Sequence, residues 1–325
     1  MMFKFFASPA SLKKRGLIGI NRRNADLIMR HNPRHLYPLV DDKLITKQRA
    51  LDAGIPVPEL YSVIQYQRQT HNLAALLKQH EDFVIKPAKG SGGNGILIIA
   101  GQFGDHFRKP SGELVSLSEL EHHVSNILSG MYSLGGVADK AIIEYRVKFA
   151  PIFKDIIFQG VPDIRLIVFL GIPVAAMVRL PTRASDGKAN LHQGALGVGI
   201  DLASGESRGG VLLNRYCTLH PDTHTSTAGL KIPHWDAILR MAITCADTVG
   251  LGYLGVDIVM DRDLGPLMLE LNARPGLNVQ IANQTGLKES IRTIRALTSL
   301  PTDVDERIQI AHSLANVARS DASGI

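Results

Sequence analysis

Two short apolar runs, YLGVDIVM (253–260) and PLMLELN (266–272), joined by DRDLG, constrain this chain more than any other feature. Runs of this length bounded by turn residues read as paired strands. Residues two apart on a strand share a face, so Glu270 and Asn272 point the same way. A four-residue loop at Arg262–Gly265 sets Asp257 directly across from Glu270. Three oxygen donors then converge between Val256, Ile258, Leu269 and Leu271. Adjacent carboxylates repel unless a cation or a proton lies between them. Hard donors with no His or Cys nearby suit Mg2+ or Mn2+ better than zinc. The competing reading is the polar outer face of a half-exposed sheet.

A second feature sits upstream. FVIK (83–86) reads as a buried strand entering a glycine-rich loop, and ILIIA (96–100) resumes as another strand. Gly90, Gly92 and Gly95 fit G-x-G-x-x-G, with Gly93 inside it, a weak pattern by itself. A Rossmann loop opens a helix, whereas the β-branched Ile96, Ile98 and Ile99 call for a strand. A strand–glycine loop–strand hairpin still suits phosphates, because glycines let backbone N–H groups approach closely. Lys86 lies in the incoming strand and needs an anionic partner if buried; Lys89 stands at the loop's mouth.

Between these features, DIRLIVFL and PVAAMVRL read as strands joined by a tight Gly171-Ile172 turn, with Asp163 and Arg165 on one face. Arg179 ends the second of them, and Arg183, Lys188, Asn190 and His192 follow in a loop. Arginines near a phosphate and a metal would neutralise charge developing on a transferring phosphoryl group. Helices are expected from Asp41 or Asp42 to Gly54, over 116–128, over 234–249 ending at Gly250, and around 287–299 and 303–319. Hairpins and helices alternate without regular βαβ units, which predicts an α+β architecture whose sheets sandwich something.

Composition narrows the class. At 325 residues with 45% apolar and 20% charged residues, the chain is long enough for one large or two ordinary domains and is not disordered. No apolar run approaches the roughly 20 residues of a membrane span. The opening MMFKFFASPA is too short and interrupted for a signal peptide. With only Cys217 and Cys245, no disulfide framework is expected and a cytoplasmic setting is the simpler reading. The net charge of +6 collects early, at Lys13, Lys14, Arg15, Arg22, Arg23, Arg30 and Arg34. No aromatic-interleaved stripe or zinc-finger spacing accompanies it, so nucleic acid is not the expected partner and a solvated basic arm is the plainer reading.

The segments DKLITKQRALDAGIPVP, FVIKPAKGSGGNG, IIEY, DIRLIVFLGIPVAAMVRL, KANLHQGA and GVDIVMDRDLGPLMLELNARPGL, in this order over residues 41–280, resemble the ATP-grasp superfamily and most closely its RimK-like α-L-glutamate ligases. The resemblance implies two α+β subdomains sandwiching ATP. It implies that Lys43 and Lys86 grip the phosphates under Gly90–Gly95, that Glu144 and Tyr145 meet the adenine, and that Asp163, Lys188 and Asn190 complete the pocket. Asp257, Glu270 and Asn272 fall on magnesium-ligand positions, and Arg165 and Arg179 on those that hold phosphate or an acyl-phosphate. The implied reaction joins a small-molecule or peptide carboxylate to an amino-acid amine through that intermediate.

The expected organisation is a short basic segment (1–40), a ligase domain (41–300, with a glycine-loop subdomain over about 55–145 and a metal and substrate subdomain over about 146–300) and a C-terminal helix and tail (301–325). Only 42 residues precede Lys43, too few for the full α/β domain that such ligases carry there, so that domain is expected to be shortened. The stretch 146–162 is longer than the family's usual connection, and its phenylalanines either shape an acceptor site or pack. A homo-oligomer is compatible with all of this. The alternatives are a phosphotransferase on the same fold and an ATP-sensing module without turnover.

Overall fold

The computed structural model describes residues 8–90, 92–213 and 215–323. Helix α1 (Lys43–Asp52) starts where Asp42 accepts from the backbone N–H groups of Leu44 and Ile45, satisfying two of the helix's orphan donors. Strands β1 (Leu60–Ile64), β2 (Phe83–Pro87) and β3 (Leu97–Ile99) follow. A small meander, unexpected from the sequence, comes next: β4 (Gly101–Phe103), β5 (His106–Arg108) and β6 (Leu114–Ser116). Helix α2 (Leu117–Leu128) opens with a capping box between Ser116 and Glu119, and β7 (Ala141–Glu144) completes the unit. β1, β7, β2 and β3 form an antiparallel four-stranded sheet in that order. Leu120, Val124 and Ile127 of α2 recur at helical spacing and pack with Phe83, Ile85 and Ile143.

The second unit is an antiparallel seven-stranded sheet built from β8 (Asp163–Phe169), β9 (Ile172–Leu180), β10 (Leu196–Ile200), β11 (Ser207–Leu212), β12 (Arg215–Cys217), β13 (Tyr253–Asp261) and β14 (Gly265–Asn272). Its order is β12-β11-β10-β9-β8-β13-β14. The β8–β9 turn is Leu170-Gly171 rather than Gly171-Ile172: both residues have positive φ, which matches the twist of a two-residue hairpin and leaves Ile172 in the strand. Helix α3 (Trp235–Val249) buries Ile238, Leu239, Ala242 and Ala246 against one face of this sheet and stops at Gly250 in the left-handed conformation. Short α4 (Asn278–Ala282), α5 (Lys288–Arg295) and α6 (Val304–Ser323) complete the chain.

The other face is divided along its length. At one end Ile167, Phe169, Ala175 and Tyr253 pack under α4, α5, α6 and Ile18, Leu27 and Ile28 of the N-terminal segment. At the other end the same alternation presents Asp163, Arg165, Arg179 and Asp257. Asn32 fixes the segment there, its side chain donating to Tyr253 O (2.7 Å) and Ala273 O (2.8 Å) and accepting from Tyr253 N–H (2.8 Å). The stretch 146–162 buries Phe153, Ile156 and Ile157 in the opposite core, while Phe158 lies under the Arg183 guanidinium.

Candidate active site

Lys43 and Lys47 are one turn apart on α1 and so share a face. Lys47 Nζ lies 2.8 Å from one Glu144 carboxylate oxygen, and Lys86 Nζ contacts the other. All three of these side chains are buried. Burial raises the Glu144 carboxyl, but Lys86 and Lys47 outweigh it and hold it below the usual carboxylate range. Burial lowers Lys43 and Lys47, which favours their taking an anion from outside. Glu144, expected at the adenine, is the counter-ion of the lysines in this structure. Neighbouring Tyr145 donates from its hydroxyl to Asp261 (3.1 Å), and burial together with Asp261 pushes it up to about 12.

The glycine loop closes this wall. Lys43 Nζ donates to Gly90 O. Asp139, which the sequence reading did not single out, accepts from Lys89 N–H (2.9 Å), Ser133 Oγ (2.6 Å) and Lys140 N–H (2.8 Å), fastening the loop's base. Gly95 has φ +75°, and a Cβ there would stand 2.5 Å from the Tyr132 ring, so glycine is required. Gly92 and Gly93 reach across to Asn190 and Lys188: a Cβ on either would lie 3.9 Å from that side chain. The loop and the 188–190 segment, far apart in sequence, are thus brought together.

The facing wall is a ladder of charges. Register pairs Asp163 with Arg179, Arg165 with Asp257, and Asp257 with Glu270. Arg179 donates to both oxygens of Asp163 (2.5 and 2.6 Å) and to Asp257 (2.8 Å). Arg165 grips both oxygens of Asp257 from its Nε and a terminal nitrogen. Burial would raise Asp257, but the two arginines overcome it and hold the carboxyl at about 2. Burial, with Asp257 beside them, raises Asp163 to about 6 and raises Glu270.

The expected Asp257–Glu270 pairing is present, reached by a different route. The loop closes one residue earlier, at Asp261 and Gly265, and a bulge at Leu269 restores the register. Bulges of this kind re-aim side chains beside sites. Glu270 and Asn272 are partly exposed on one face, while Asp257 is fully buried with both oxygens committed to arginine. Glu270 therefore fits a hard cation as an oxygen donor, with Asn272 Oδ1, which accepts from Arg274 N–H (2.8 Å), beside it on the same face; Asp257, as placed, supplies charge behind them. A small cleft is lined by Lys43, Lys47, Lys86 and Glu270 with Val40 and Met268. Four cationic and acidic groups around a small opening suit a polyphosphate with its metal. His192 is exposed on the surface.

A sequence model of the sugar-transfer associated ATP-grasp family matches residues 22–296. The chain belongs to that family. The ATP-grasp α+β architecture is accordingly the one described above. The chain is 24% identical over 292 residues to cyanophycin synthetase of Crocosphaera subtropica, a match covering 84% of this chain and 32% of that protein. It therefore spans about a third of that relative's length. Among solved structures it is similar to the D-alanine–D-alanine ligase of Bacillus anthracis complexed with ATP (14% identity, 88% and 70% of the two chains, TM-score 0.43). It is also similar to the biotin carboxylase domain of the Hydrogenobacter thermophilus 2-oxoglutarate carboxylase with MgADP and bicarbonate (15% identity, 83% and 49%, TM-score 0.49).

Proposed function

We propose that this ATP-grasp protein is an ATP- and Mg2+-dependent carboxylate–amine ligase that works through an acyl-phosphate. The observation that carries this reading is the cleft itself. A cation-rich wall of Lys43, Lys47 and Lys86 faces Glu270, and Asp257, its register partner, is held by Arg165 and Arg179. The lysines and the glycine loop hold the polyphosphate; Lys188 and Asn190 close the pocket from the other side; Tyr145 lies at its edge. Glu270 and Asn272 take the metal, which screens charge on the transferring phosphoryl group. Arg165 and Arg179, already oriented by Asp257 and Asp163, receive the negative charge as carboxylate attacks phosphorus and as the amine later expels phosphate.

Glutamate or a similar amino acid is the amine donor in this reading, in keeping with the resemblance of the motif set to glutamate ligases and the similarity to cyanophycin synthetase. The acceptor is a small-molecule or peptide carboxylate. An assay of ADP release across amino-acid and peptide pools, with mass spectrometry of new amides, tests the reading. An amide product whose formation tracks ADP supports it, and a phosphorylated product without amide replaces it with phosphotransfer.

A further inference from the structure

The basic N-terminal segment, read from sequence as a solvated arm, is a fixed surface. Its inner side is pinned: Ile18, Leu27 and Ile28 are buried, Ile18 exchanges two hydrogen bonds with Gln280 (2.9 and 3.0 Å), and Gly286 N–H donates to Arg15 O. Its outer side carries Lys13, Lys14, Arg15 and Arg30, all exposed and none in an ion pair among the described residues, while Arg22 is held by Asp26 (3.1 Å). The same segment carries apolar side chains that are exposed among the described residues. Met29, at 76% exposure, is the most exposed large apolar side chain among the described residues, and Ile20 is at 61%. Leu12 is exposed beside Lys13.

We propose that this outer face docks the protein on an anionic lipid surface. Soluble anions would be satisfied by the cations alone and give no use to exposed Ile20 and Met29. A bilayer interface takes both: lysine and arginine pair with lipid phosphates while apolar side chains enter the acyl boundary. No helix among the described residues is long and apolar enough to cross a membrane. Asn32 ties the segment to Ala273, next to Asn272 at the end of β14.

The test is co-sedimentation of the full chain with phosphatidylglycerol–phosphatidylcholine vesicles against pure phosphatidylcholine, at low and high salt. Binding is expected to the anionic vesicles and to fall with salt. The triple variant Lys13→Glu, Lys14→Glu, Arg15→Glu should lose on the order of a hundredfold in partitioning, at about fivefold or more per cation. The pair Ile20→Ser, Met29→Ser should lose on the order of tenfold with charge unchanged. Melting curves identify any variant that fails to fold, and all five side chains are exposed, so the melting temperature should hold. Equal binding to both vesicle types, no binding to either, or retention on heparin or nucleic acid with none on vesicles would each overturn the proposal.

Discussion

Arg165 and Asp257 are direct register partners on adjacent strands, and the guanidinium of one grips both carboxylate oxygens of the other in a buried setting. Arg179, on β9 beyond β8, reaches the same carboxylate. The pair holds an arginine in place before any substrate arrives, and it makes the site costly to damage from either end.

Removing one partner of such a pair leaves a buried charge unopposed. Arg165→Met should destabilise the fold by about 3–5 kcal/mol, and Asp257→Leu similarly, whereas the double variant should recover much of the loss. Denaturant unfolding of the three variants measures this directly. Additive losses would show that the two side chains do not interact in solution.

Glu270 is partly exposed and its charge faces the cleft. Glu270→Gln keeps the shape and removes a metal-binding charge. Turnover should nearly vanish, the melting temperature should hold, and magnesium should no longer sharpen nucleotide binding in calorimetry. Normal turnover in this variant would return Glu270 to a purely structural role.

Lys86 and Lys47 share Glu144 as counter-ion, so a polyphosphate must compete for them. Lys86→Ala should weaken nucleotide binding by about 1.5–3 kcal/mol, the range for a charged hydrogen bond. Lys47→Ala should act in the same direction. Unchanged nucleotide titration in both would place the phosphates elsewhere.

His220 is fully buried, its Nε2 3.1 Å from Pro181 O and its Nδ1 accepting from Asp222 and Thr223 N–H (both 3.3 Å). Those contacts require the neutral ring, and burial lowers its pKa below the ordinary 6.5 despite Pro181 and Asp222. The unfolded chain binds the proton first, so stability contributed by this group is present above 6.5 and is lost as pH falls below it toward the lowered native value. His220→Asn should flatten the pH dependence of the melting temperature in that window by about one proton's worth. An unaltered slope would remove His220 from the pH response.

The parts of the fold that could be read from sequence are those whose determinants are local. Period-two alternation puts Glu270 and Asn272 on one face, and the glycine spacing of 90–95 announces a close-approach loop. The route to the Asp257–Glu270 pair was less legible, because a three-residue loop plus a bulge at Leu269 gives the same pairing as a four-residue loop without one. Lys47, four residues from Lys43, belongs to no motif that marks it, and Asp139 carries no local signal for fastening a loop fifty residues away. The Arg179–Asp163–Asp257–Arg165 ladder depends on the order of three strands, which no single segment specifies. The N-terminal segment packs through Ile18, Leu27 and Ile28, and the widened π-helical turn over Arg23–Met29 gives these no regular period.

The most direct test of the central claim is hydroxylamine trapping with MgATP and a pool of carboxylates. An acyl-phosphate is intercepted by hydroxylamine, giving a hydroxamate in step with ADP and inorganic phosphate, and Arg165 or Arg179 variants that still fold should lower the rate more than nucleotide affinity. That result is the one expected. A stable phosphorylated product with no hydroxamate, under conditions where ATP is consumed, would contradict carboxylate–amine ligation while leaving the ATP-grasp fold standing.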